Sequence, residues 1–276
     1  MSIPHNPLKQ YFRRPAIYIT LPSKGKFYEP GVINQTETGE LPVYPMTAID
    51  DITSKTPDAL FNGSAVVELI KSCIPDIKEP WKINSIDMDA VLIAIRSASN
   101  GNDMEIETMC PACSEESKYN VNLVGILSSL KAGNYNDELL INDLYIKFKP
   151  LTYREMNQVN LSQFELQKMF ANIESLQDPT ERANKTKEAL SMITSVTMKV
   201  LASTIEYIKT PSAIVDNAEF ILDFLENCDK IAYNAIKEYH EKIKEDAELK
   251  PLKIKCIHCQ HEYEKSFTLN VSDFFG

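Results

Sequence analysis

Four cysteines constrain this chain more than any other feature. Cys110-Pro-Ala-Cys113 and Cys256-Ile-His-Cys259 are Cys-x-x-Cys turns with 142 residues between them. Each such turn sets two sulfurs on one side of a tight loop. Two turns together supply four thiolates about 2.3 Å from a tetrahedral zinc ion. Cys110, Cys113, Cys256 and Cys259 are therefore read as the ligands of one structural Zn2+. Four thiolates leave no position open for water, so the ion would serve as a clasp on a very long loop and add its binding free energy to folding. The competing reading is a redox pair, but no βαβ pattern of the thioredoxin kind surrounds either turn. The opening residues, Met1-Ser-Ile-Pro-His-Asn-Pro7, lack the apolar core of a signal peptide. The chain is therefore expected in the cytoplasm, where thiols stay reduced and close cysteine pairs favour metal. His258 and His261 flank the second turn and are expected to be exposed. Cys73 and Cys228 are expected inside helices as small core residues.

The chain has 276 residues, a net charge of −10 and a pI near 5.0. That acidity argues against a nucleic-acid partner, which needs a basic face, and remains compatible with a basic protein partner. The apolar runs, such as Ala90 to Ile95, are far shorter than the roughly 20 residues that span a bilayer, so no membrane partner is expected. No glycine-rich phosphate loop, Gly-x-Ser-x-Gly elbow or His-Glu-x-x-His motif is present. The acid pairs Asp50-Asp51 and Asp87/Asp89 lie near helix starts and are read as complements to the helix dipole. Trp81 and Tyr11-Phe12, next to Arg13-Arg14, are candidate anchors for a partner.

The pattern along the chain predicts an α+β fold, mostly helical, with short antiparallel strands and a zinc-ribbon-like module built from the two cysteine knuckles. Residues 1–45 carry seven prolines and read as an extended arm with edge strands at Ala16–Leu21 and Leu41–Tyr44. Residues 46–130 read as a helical half ending in the first knuckle. Its helices follow a capping box at Thr47/Asp50, run over Gly63–Cys73, and cover Ile86–Ser99. Residues 131–276 read as a second half ending in the other knuckle. It opens on a hairpin (Leu139–Ile141, Leu144–Phe148) and a capping box at Thr152/Glu155. Long helices follow over Arg154–Ile173, Pro179–Ile208 and Asp216–Ala247, the last broken near Asn227-Cys-Asp229.

The two halves share an order of marks. Pro45-Met-Thr47-Ala-Ile-Asp50 parallels Pro150-Leu-Thr152-Tyr-Arg-Glu155, and each half ends in strand, cysteine turn, strand. Two readings account for this: chance similarity of short capping motifs, or a degenerate duplication, which would bring the knuckles together at a pseudo-two-fold axis.

Several marks also occur in the order Leu21-Pro-Ser-Lys-Gly25, Val43-Tyr-Pro-Met-Thr47, Gly63 to Ile74, Asp89 to Arg96, and then a Cys-x-x-Cys turn. In this the chain resembles the T4-type bacteriophage baseplate hub and hub-assembly proteins, most closely over residues 15 to 125. The resemblance implies a non-enzymatic tailed-phage protein that contributes to baseplate hub assembly in the host cytoplasm, as a virion subunit or an assembly factor. Its implied partners are other baseplate hub or tail proteins, and it brings no catalytic residues. Two alternatives stay open: a zinc-ribbon regulator that binds nucleic acid, with Lys253, Lys255 and Lys265 set against Glu115, Glu116 and Glu262, and an enzyme with an unrecognised site.

Overall fold

The structure, a computed structural model, describes residues 6–34, 36–55 and 62–267. A short 3-10 turn at Pro7–Tyr11 precedes β1 (Ile17–Thr20) and β2 (Glu40–Val43). Then come α1 (Ala48–Ser54), α2 (Ser64–Cys73), α3 (Ser85–Asn100), β3 (Asp103–Met109), β4 (Glu116–Asn122) and α4 (Leu123–Ser129). The second half runs through β5 (Glu138–Ile141), β6 (Leu144–Phe148), α5 (Tyr153–Ser175), α6 (Pro179–Ser203), β7 (Ile205–Lys209) and β8 (Ile214–Val215). It closes with α7 (Ala218–Asn227), α8 (Lys230–Ala247), β9 (Leu252–Lys255) and β10 (Glu262–Lys265). The fold is mostly helical with short antiparallel strands, as the periodicity predicts. Among the described residues no helix is long and apolar enough to cross a membrane.

Both capping boxes form. The Thr47 hydroxyl accepts the Asp50 N–H while the Asp50 carboxylate accepts the Thr47 N–H, and Thr152 and Glu155 do the same. A hydroxyl and a carboxylate thus satisfy amide donors that the first helical turn leaves unpaired. A further parallel lies just before each box. The Tyr44 N–H bonds the Cys73 carbonyl at the end of α2, and the Lys149 N–H bonds the Thr204 carbonyl just after α6, each at 2.8 Å.

Two hydrophobic cores result. The first gathers Ile19, Leu41 and Val43 of the β1–β2 pair with α2, α3 and α4. β1 and β2, expected as edge strands on an extended arm over residues 1–45, pack into this core instead. β1 pairs with β2 in register from Ile17↔Val43 to Thr20↔Glu40, and the inward alternate residues cover α3. The second core packs α6, α7 and α8 on the antiparallel sheet β5-β6-β7-β8.

The chain does not respect a clean boundary between these cores. Ile86 of α3 belongs to the second core, while Phe267, Leu249 and Leu252 from the C-terminal region pack into the first. The halves are also stitched by backbone: Ser85 N–H to the Leu151 carbonyl at 2.7 Å, and Tyr153 N–H to the Ile83 carbonyl at 2.6 Å.

The helix expected to run to Ile208 ends at Ser203, and Ile205–Lys209 is strand β7 on the open edge of β6. The apolar spacing of Ile205 and Ile208 suits a helix, yet a bulge serves it equally well. Phe148 pairs with Ile205 and Lys147 with Tyr207, so Glu206 is the extra residue and both isoleucines turn inward. Cys228, expected inside a helix, is the half-buried C-cap of α7 instead. The expected closing strand residues Leu269 and Val271 lie outside the described residues.

Candidate metal centre

The two cysteine turns fold identically. In the first, Cys110 N–H bonds the Glu115 carbonyl at 3.0 Å and Ser114 N–H bonds the Cys110 carbonyl at 2.9 Å. In the second, Cys256 N–H bonds the His261 carbonyl at 2.8 Å and Gln260 N–H bonds the Cys256 carbonyl at 3.0 Å. Ser114 and Gln260 hold the same left-handed conformation, with φ of 59° and 62°. That strained residue lets the chain reverse directly after the second cysteine, so both thiols of a pair point the same way. The β3–β4 ladder, seven residues on each side, presents the first turn, and the shorter β9–β10 ladder presents the second.

The hairpins bring all four sulfurs together. Cys110 Sγ lies 3.7 Å from Cys259 Sγ, and Cys113 Sγ lies 3.7 Å from Cys256 Sγ. All four sit within 4.8 Å of one another. A tetrahedron whose vertices lie about 2.3 Å from its centre has edges of about 3.8 Å, so these separations fit a thiolate-bound ion. They are far too long for disulfides, whose S–S bond is about 2.05 Å. The short contacts join the first cysteine of each turn to the second of the other, the exchange that an approximate two-fold axis produces. The buried members, Cys110 and Cys256, are likewise the first of each pair. The group can hold a metal ion.

The electrostatics of the cluster follow from backbone amides and crowding. The N–H of Cys259, together with that of His258, draws the Cys256 thiol down to about 6 against the opposing effect of burial. At Cys113 the Glu115 N–H pulls downward, but burial and the neighbouring thiols outweigh it and push that group up to about 12. Cys113 and Cys259, both pushed upward, therefore resist ionising beside Cys256. Thr108 and Ser117 of the first hairpin and Ile254 of the second are buried, and His258 and His261 are exposed, as expected. His261 stacks on Tyr263 with ring centroids 6.3 Å apart.

Other residues singled out in the sequence have structural partners. Asp87 is fully buried; it accepts from the Ser23 N–H at 2.8 Å and the Tyr28 hydroxyl at 2.7 Å, so it fastens the 21–28 turn to α3 rather than serving the helix dipole alone. Asp50 accepts from Ser72 and from Arg13, whose guanidinium also reaches the Pro45 and Ser72 carbonyls. Trp81 stacks on Tyr153 at 5.5 Å with Arg154 over its face, which makes it part of the joint between the halves. His240, not singled out above, stacks on Phe148 of the second core. None of these pairings has a local signal, since the partners lie tens of residues apart.

Fold and centre together define a mostly helical protein with short antiparallel strands, whose two cysteine turns form one thiol cluster. The family model of the T4 bacteriophage base plate protein matches residues 45–276. The chain belongs to that family. No curated protein and no solved structure matches it.

Proposed function

We propose that this baseplate protein is a non-enzymatic contributor to assembly of the central hub, acting in the host cytoplasm as a structural subunit or an assembly factor. Its halves, residues 46–130 and 131–276, are held at a fixed angle by a zinc clasp on Cys110, Cys113, Cys256 and Cys259, and they offer helical faces to other hub or tail proteins. The observation that carries this reading is the thiol cluster itself: sulfurs far apart in the chain meet at 3.7 Å contacts suited to a tetrahedral ion. The order of marks from Leu21 to Arg96 supports the hub assignment, and the absence of hydrolase and phosphate-loop motifs supports a role without catalysis.

Elemental analysis of protein purified without chelator, beside a Cys256→Ser, Cys259→Ser variant, tests the clasp. The expected result is about one zinc per chain, lost in the variant together with cooperative unfolding, because binding of a structural ion is coupled to folding. Metal-free wild-type protein would overturn it. Mass spectrometry of purified phage particles separates the two roles: stoichiometric peptides mark a virion subunit and their absence an assembly factor.

A further inference from the structure

We propose that copies of this chain associate head to tail, the N-terminal face of one against helix α7 of the next. The two faces differ in charge and both leave apolar side chains in solvent. Residues 6–34 carry five basic side chains and one acidic, in a chain of net charge −10. Within them Tyr11 is 78% exposed and Tyr18 62% exposed, and Leu8 and Phe12 are similarly open. In the 3-10 turn Leu8 and Tyr11 stand three residues apart and hence side by side. Of the nearby cations Arg13 is consumed internally by Asp50, whereas Lys9 and Arg14 form no ion pair among the described residues. The Arg13 contacts also set this segment beside α1, whose Ile49 is 74% exposed.

The opposite face lies in the other half. Residues 214–229 carry five acids and no base. On α7, Ile221 and Leu225 are buried in the second core. Glu219, Asp223 and Glu226 recur at i, i+4 and i+7 on the exposed side, and Phe220 beside them is 65% exposed. None of the three acids forms an ion pair among the described residues. An aromatic among carboxylates is the counterpart of aromatics among Lys9 and Arg14. Charge complementarity of this kind sets orientation and encounter rate, and the apolar side chains supply the buried area.

Among the described residues nothing covers either face, which leaves both open to a neighbour. Because the faces differ, the contact is heterologous and repeats from copy to copy, closing into a ring or extending as a filament. The occupant is a second copy because the chain itself carries both complementary surfaces.

Light scattering on the eluting full-length chain tests this at about 100 µM, where a contact of micromolar Kd is filled. The expected mass exceeds one chain at low ionic strength and falls as salt screens the exposed charges. Lys9→Glu with Arg14→Glu should weaken association by about tenfold or more, and so should Asp223→Lys with Glu226→Lys. Each variant should keep the wild-type circular dichroism, since only solvent-facing side chains change. Mixing the two reversed proteins should restore association, because each then offers the charge the other lacks. A monomer under all these conditions, or an oligomer indifferent to both reversals, would overturn the proposal.

Discussion

Helices α3 and α6 both carry apolar repeats, yet they live in different environments. Ten of the sixteen residues of α3 are buried, Asp87 among them, and its outward faces are covered by β1–β2, α2 and α4. In α6 only Ala189, Leu201 and Ala202 of twenty-five are buried, and two of these sit in the last turn, where the helix enters the second core. Its partner α5 buries Leu166 and Ile173 of twenty-three. A helix interior to a core owes its stability to packing on every side. The α5–α6 hairpin rests on caps, a partial apolar seam and helix propensity. An apolar stripe in sequence thus marks which face a helix turns inward, while the burial of that face depends on what lies across from it.

Substitution by alanine gives the largest test of that contrast. Ile93 in α3 is fully enclosed (0% exposed). Truncating it should cost about 2–5 kcal/mol, the range for large-to-small changes in well-packed cores. Leu190 in α6 is 54% exposed, and Leu190→Ala should cost less than about 0.5 kcal/mol. Urea unfolding of the two variants measures both. Equal losses would break the comparison and show α6 packed as tightly as α3.

The parts legible in the sequence are those governed by neighbours in the chain. Thr47 and Thr152 announce capping boxes three residues ahead, Pro75 and Gly101 follow the ends of α2 and α3, and each Cys-x-x-Cys fixes its own turn. Meeting of the two turns was inferable as well, because four thiols satisfy one ion and two do not. What escaped depends on distant partners. Ile19 of β1 is buried only because Leu41 of β2, more than twenty residues on, pairs with it and α3 lies beneath. The fate of Ile205 was decided by the vacant edge of β6 and a one-residue bulge. Asp87 reads as an ordinary acid in a first helical turn, and nothing local signals that Ser23 and Tyr28 close over it.

The seam between the halves gives a smaller, pH-dependent effect. Asp89 of α3 is mostly enclosed, and burial, followed by the charge of Glu248 at the end of α8, raises its carboxyl from the ordinary 3.8 to about 6. The folded protein then holds this proton more tightly than the unfolded chain. The associated stability is full below 3.8 and is lost as pH rises through about 6. Asp89→Asn should therefore stabilise the protein at neutral pH by on the order of 2 kcal/mol and flatten that part of the stability profile. Glu248→Gln should give a smaller gain, as its charge is the lesser cause. Denaturation measured across this pH range checks both, and an unchanged slope in Asp89→Asn would mean that the two halves do not crowd this carboxylate.

The smallest effect compares the two capping boxes directly. Thr47 and Thr152 each accept the N3 amide, and Asp50 and Glu155 return bonds to the cap amide and hydroxyl at 2.7–2.8 Å. Their surroundings differ: the Asp50 carboxylate also accepts from Ser72 and Arg13, while among the described residues the bonds to Glu155 come from Thr152. Thr47→Ala leaves Asp50 with three donors, whereas Thr152→Ala leaves Glu155 with one backbone amide. Each change should cost about 1 kcal/mol, the usual worth of a threonine cap. Thr152→Ala should cost slightly more, because the carboxylate it releases has less to fall back on. Paired unfolding curves decide the order. A larger loss at Thr47 would mean that the Arg13 network depends on that hydroxyl, and that the first half has specialised its cap beyond the feature the two halves share.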